Sequence, residues 1–135
     1  MPDNIKEKIE DKIIDLINSS AGGRLVIFKP ENSDKDLVVE KRGDYKKKPV
    51  SFKIYGQDAS SKDQNFIKEI QNKNLDAEDG FYLIFAYFDI VEQDIEDPVW
   101  LIPSFEFAAA AGDNLSKFLI KKKDIGKFLI KKFGK

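Results

Sequence analysis

Cysteine and histidine are both absent from this chain, and tryptophan and methionine occur once each. Without cysteine there is no disulfide, no zinc ribbon and no thiol nucleophile. Without histidine the Ser-His-Asp triad, most zinc catalysis and imidazole acid–base chemistry are excluded. Carboxylates, lysines, tyrosines and hydroxyls remain, so any metal would be a hard cation such as Mg²⁺ on oxygen ligands. No run approaches the roughly 18 apolar residues that span a bilayer, and Met1 to Glu10 is charged where a secretory signal is apolar. A cytoplasmic protein without a membrane contact is therefore expected. Gly22-Gly23 and Gly112 form neither GxGxxG nor GxxxxGK[ST], so nucleotide-binding loops of those kinds are missing as well.

What is present suits one core. The 135 residues fall within the usual size of a single domain, no low-complexity stretch divides them, and 41% are hydrophobic, including eleven Phe and four Tyr. One domain over 1–135 is expected. The net charge of −1 hides two opposite blocks: residues 74–116 contain ten acids and no Lys or Arg, whereas residues 117–135 place eight Lys against Asp124 alone. A basic C-terminal segment of this kind suits contact with a polyanion such as nucleic acid. It also suits a merely solvated helix, since Lys outnumbers Arg 21 to 2 throughout.

Periodicity gives the elements. Ile5, Ile9, Ile13, Leu16 and Ile17 recur at helical spacing and predict an amphipathic helix over 3–20, stopped by Gly22 and Gly23. Residues 24–29 and 36–41 read as a hairpin, and Val50, Phe52 and Ile54 share one face of a third strand over 49–55. A thinner apolar stripe, Phe66, Ile67 and Ile70, predicts a helix over 61–73. The run FYLIFAYF at 81–88 suits a central strand covered on both faces. An acidic loop at 89–97 follows, then a strand at 98–102 and a short helix that Gly112 ends, with Phe105 and Phe107 expected in the core. KFLIKK occurs at 117–122 and 127–132; the first copy is expected as a strand and the second as a helix, with Asp124 as its N-cap. The order αβββαββαβα predicts an α/β fold with a mixed sheet.

A helix carrying Glu10, a hairpin whose second strand opens at Asp36 in SDKDLVVE, and Lys53 on the third strand in VSFKIYG resemble the PD-(D/E)xK nuclease superfamily. That superfamily includes restriction endonucleases and Holliday-junction resolvases. The resemblance covers residues 5–105, with VWLIPSFEF at 99–107 similar to a segment of uncharacterised members. It implies a three-layer restriction-endonuclease-like fold, a central mixed sheet flanked by helices, and Mg²⁺-dependent cleavage of DNA or RNA phosphodiesters. It further implies that Asp36 is a metal ligand, Lys53 the motif lysine and Glu10 the helix acid. The chemistry needs these types: carboxylates hold the cation, and an ammonium group stabilises charge on the attacking or leaving oxygen.

The sequence departs from the pattern at Ser51, where Glu or Gln is expected. Glu40, four residues after Asp36 and on the same side of the strand, is the candidate replacement, giving Asp36 and Glu40 as metal ligands. In the other register Lys53 takes the acid's position and Tyr55 the lysine's. The turn between these strands, KRGDYKKK at 41–48, offers Lys41, Arg42, Lys46, Lys47 and Lys48 to a phosphate backbone. A simpler account of the same residues is that Asp36 terminates a turn, Glu40 pairs with Lys53 and Glu10 is solvated. The competing expectation for the whole chain is then a non-catalytic interaction module, a homodimer included.

Overall fold

The computed structural model describes residues 2–31, 35–43, 49–61, 80–110 and 116–133. Isoleucines at 5, 9, 13 and 17 fall on one side of a helix because four residues advance it by little more than a turn, and α1 spans Pro2–Ala21. Ile9, Ile13 and Ile17 are fully buried, with Ile5 and Leu16 packed beside them. Each fully buried isoleucine contributes about 1.5–3 kcal/mol. Gly22 and Gly23 end the helix at φ of 59° and 86°, a region that glycine enters without a Cβ penalty.

The sheet is built outward from a meander. β1 (Leu25–Phe28) and β2 (Leu37–Lys41) are antiparallel, with Leu25 opposite Lys41 and Phe28 opposite Val38. β2 pairs antiparallel with β3 (Val50–Asp58), Leu37 opposite Phe52. β3 then pairs parallel with β4 (Phe81–Asp89) along Ser51–Asp58. A parallel neighbour requires a crossover of a dozen residues or more. The helix expected at 61–73 lies outside the described residues, apart from a 3₁₀ turn at Ala59–Ser61 that precedes it. β5 (Asp94–Ile95) pairs with the end of β4, β6 (Val99–Pro103) runs antiparallel along it, and β7 (Leu119–Ile120) borders β6. The order is β1-β2-β3-β4-β6-β7, a mixed seven-stranded sheet in an α/β protein.

Two cores lie on the two faces of this sheet, and β4 feeds both because successive strand residues alternate. Tyr82, Ile84, Ala86 and Phe88 join Phe52, Ile54 and the isoleucines of α1, together with Leu129 and Phe133 of α3 (Ile125–Phe133). Phe81, Leu83, Phe85 and Tyr87 join Ile102 and Phe107 on the other face, beside α2 (Ser104–Ala110). The fully apolar FYLIFAYF run thus has a two-sided cause. Among the described residues no helix is long and apolar enough to cross a membrane.

Several elements differ from expectation. β3 continues through Gly56, Gln57 and Asp58, residues of low strand propensity, because β4 pairs with them throughout. The acidic loop contains β5, and only Leu119 and Ile120 of the first KFLIKK copy are strand, after a 3₁₀ turn at Ser116–Phe118. Asp124 stands directly before α3, where it was expected, but as the last residue of another 3₁₀ turn, Lys122–Asp124, and its carboxylate faces Lys127 at 3.9 Å. Phe107 is in the core as expected, whereas Phe105, two positions away on α2, is 56% exposed.

Candidate functional site

β2 starts at Leu37 while β3 runs on past Phe52, its partner in the ladder, so the next inner N–H of β3 lacks a strand acceptor. Asp36 supplies one. Its own N–H donates to Phe52 O at 2.7 Å, and its Oδ2 accepts from the Ile54 N–H at 2.7 Å. A short carboxylate here takes the place of a backbone carbonyl, the local competition that makes Asp favour strand ends and turns. With Oδ2 committed, Oδ1 is left to meet side chains.

Two ammonium groups reach that oxygen. Lys6 of α1 places Nζ 3.0 Å from Asp36 Oδ1, and Lys53 of β3 places Nζ 3.9 Å away. Phe52 and Ile54 point into the core beneath α1, so Lys53 springs from the opposite face of the sheet. Lysines from both faces meet because β2 has ended at this corner. The groups retain access to solvent: the side chains of Asp36 and Lys53 are 13% and 25% exposed.

Glu10 follows Lys6 by one turn of α1 and is buried. Lys29, just beyond β1, brings Nζ to 3.3 Å from Glu10 Oε1 and 3.4 Å from the exposed Asp11 Oδ1. Burial pushes the Glu10 carboxyl above the usual range of about 4.5 and the charge of Asp36 pushes it further, outweighing Lys29 and Lys6. The Lys29 ammonium loses some proton affinity to partial burial, yet hydrogen bonds and charge from Glu10 and Asp11 raise it overall. Glu10, Asp36, Lys6, Lys29 and Lys53 therefore share one electrostatic field. The close seat of α1 depends on Gly56, where an added Cβ would run into the Ile9 Cδ1 methyl.

Of the residues singled out in the sequence, Asp36, Lys53 and Glu10 come together here. Glu40 does not join them: it stands opposite Val26 in the β1–β2 ladder, four residues or roughly 13 Å along the strand from Asp36. Ser51, two residues before Lys53, donates its backbone N–H to Gly80 O at 2.8 Å. Among the described residues, no three carboxylates gather into a group able to hold a metal ion. Lys41 and Arg42 lie at the far end of β2, and Lys46, Lys47 and Lys48 fall outside the described residues. Lys6 and Lys29 are the members that sequence reasoning missed. The signal for Lys6 was its place four residues before Glu10, which puts both on one side of a helix.

The basic tail is partly answered within the chain. Lys122 Nζ donates to Asp94 Oδ2 at 2.9 Å and to Ile95 O at 2.6 Å, and its backbone N–H donates to Asp97 Oδ1 at 2.6 Å. Partial burial tends to raise the Asp94 carboxyl, but hydrogen bonds from Lys122 and the Ile95 N–H hold it below the usual range. The acidic block at 74–116 and the tail thus meet at this pair. Comparison with protein-family models, curated proteins and solved structures finds no match to this chain.

Proposed function

We propose that this chain is a nuclease-like domain of the PD-(D/E)xK type, with a restriction-endonuclease-like three-layer fold, that engages nucleic-acid phosphodiesters at the Glu10–Asp36–Lys53 corner. The observation that carries the proposal is the meeting of Asp36 Oδ1 with the ammonium groups of Lys6 and Lys53, beside a buried acid that senses Asp36. The β1-β2-β3 meander with β4 parallel to β3 supports it as scaffold.

The donor set suits Mg²⁺ rather than a softer metal, because only carboxylate and carbonyl oxygens are present. Mg²⁺ is commonly bound through one or two carboxylates plus substrate phosphate and water, so Asp36 and Glu10 suffice without a third acid. In this proposal Glu10 replaces Glu40 as the second ligand. The raised proton affinity of Glu10, set first by its burial and then by the charge of Asp36 against Lys29 and Lys6, fits that role, since a bound cation would favour the ionised acid. When bound, Mg²⁺ would polarise the phosphodiester and its attacking water.

The chain's own residues do the remainder. Lys53, third-strand lysine and partner of Asp36, lies where it can stabilise charge on an attacking or leaving oxygen. Lys6 and Lys29 add point charges for the phosphate backbone, which favours phosphate contact over base reading. Asp36 is held in place by the Ile54 N–H, so Oδ1, which Lys6 and Lys53 face, is positioned before any ligand arrives. Ser51 in place of an acid supports a second reading, a relative that binds the backbone without cutting it.

Mg²⁺-dependent cleavage of mixed DNA and RNA, with Asp36→Asn as control, tests the proposal. Cleavage by the native chain and loss in the variant are expected. Salt-dependent binding without cleavage would leave the binding-only relative, and absence of both would contradict the assignment.

A further inference from the structure

A cleft enclosing about 460 Å³ opens at the opposite end of α1, lined by Gly22, Gly23, Arg24, Leu25, Lys41, Arg42, Ile130 and Phe133. From Glu10 to Ala21 the helix rises roughly 16 Å, so this cleft is separate from the Asp36 corner. The chain has 21 lysines and only two arginines, and both arginines line this cleft. We propose that it binds an organic phosphate of mononucleotide size, with the phosphate on Arg24, Arg42 and Lys41 and the planar body against Leu25, Ile130 and Phe133.

Three features favour that ligand over water or a simple salt ion. First, the lining carries three cations and no acid; among the described residues no carboxylate forms an ion pair with either arginine. Charges of one sign gathered by the described residues in a concave site draw counter-ions. Second, the two guanidinium groups are held at their inner nitrogens. Arg24 Nε donates to Ala21 O at 2.9 Å and Arg42 Nε to Gly23 O at 2.7 Å, and the Arg42 backbone N–H donates to Arg24 O at 3.0 Å. Those bonds orient each fork through Nε, with no bond at its terminal nitrogens among the described residues, and a guanidinium fork matches phosphate oxygens two at a time where lysine offers one point charge.

Third, the rest of the lining is apolar. Ile130 is half-buried, and Leu25 and Phe133 are buried with only a small part of each open to the cleft, contacts that inorganic phosphate leaves unused. The volume falls within the range of small-molecule sites, which combine an apolar lining with a few placed polar groups. Gly22 and Gly23 add no side chain to the cleft, and their positive φ disfavours any substitution that would.

Isothermal titration calorimetry of the full chain with adenosine monophosphate, adenosine and inorganic phosphate tests the site. Adenosine monophosphate is expected to bind with a dissociation constant of the order of 10 µM to 1 mM, the range for a ligand of its size at ordinary efficiency. Adenosine and phosphate alone should each bind at least about tenfold more weakly. Arg42→Lys keeps the charge but loses the fork, and should weaken binding about tenfold while the melting temperature holds. Asp36→Asn, at the other end of α1, should leave the affinity unchanged whatever it does to cleavage. No heat with adenosine monophosphate, equal affinity for adenosine, or indifference to Arg42→Lys would overturn the site. Loss of binding in Asp36→Asn would overturn it too, by placing the phosphate at the other corner.

Discussion

Lysine meets carboxylate in two regions of this protein, and the acids respond in opposite directions. At the junction of tail and acidic block, Asp94 accepts from Lys122 and from the Ile95 N–H and is held below the usual carboxylate range. At the corner beside α1, Glu10 accepts from Lys29 and is nevertheless pushed up, because it is buried and shares its surroundings with Asp36. The first region is a satisfied pair that fastens β7 and the following turn to β5. The second holds one buried acid, Glu10, at a cost beside Asp36, and perturbed acids are where binding and catalysis are sought.

Removal of Asp36 should have the largest effect. Asp36→Ala takes away a proposed ligand and orphans the Ile54 N–H, which costs about 1–3 kcal/mol when buried. Loss of any cleavage together with a lower urea midpoint is expected, while Asp36→Asn should recover much of the stability and none of the cleavage. Lys53→Met should lower cleavage about a hundredfold, the scale of losing one charge-stabilising group, with a melting temperature close to native.

Glu10→Gln sharpens the contrast through pH. Folding raises this carboxyl's affinity for its proton, so native stability falls as pH climbs from about 4.5 through the raised value in the folded state. Glutamine has no such slope. The variant should therefore gain stability over the native chain as pH rises through that window, read from urea unfolding at several pH values; an unchanged difference would remove the claim of a strained acid.

Lys122→Met should have the smallest effect. Its partner is nearly half exposed, and pairs of that kind contribute about 1 kcal/mol or less. Because Asp94 is depressed, the contribution is present above the ordinary Asp range near 3.8 and is lost as pH falls through the folded value. Thermal unfolding at pH 7 and at acid pH should show the variant's deficit only at the former.

Much of the scaffold was legible because burial leaves a period in the sequence. Isoleucine at every fourth position announced α1, the alternation of Val50, Phe52 and Ile54 announced β3, and FYLIFAYF announced a strand with both faces covered. The extension of β3 to Asp58 was hidden, since Gly-Gln-Asp has no strand character and is held by pairing with β4. So were the close contacts of helices: Gly126 in α3 looks like a helix weakener, yet an added Cβ there would collide with Ser20 of α1.

The candidate site was legible in its acids and only partly in its bases. Asp36, Lys53 and Glu10 stood in an order that a familiar arrangement makes meaningful, but Glu40 matched by side-chain direction alone and sits a strand length away. Lys6 and Lys29 were two lysines among 21, and only the folding of α1 over the sheet brings Lys6 to Asp36 and Lys29 to Glu10. The arginine cleft joins positions 22–25, 41–42 and 130–133, which no local pattern connects.

The most direct measurement is the titration of the Glu10 side-chain carboxyl by NMR, without and with Mg²⁺, in the presence of a non-cleavable phosphorothioate oligonucleotide. If Asp36 and Glu10 share a cation against a phosphate, Mg²⁺ reverses the field at Glu10 and its pKa falls to or below the ordinary carboxylate range. A carboxyl that titrates at the same raised pH whether or not Mg²⁺ is present would contradict the account.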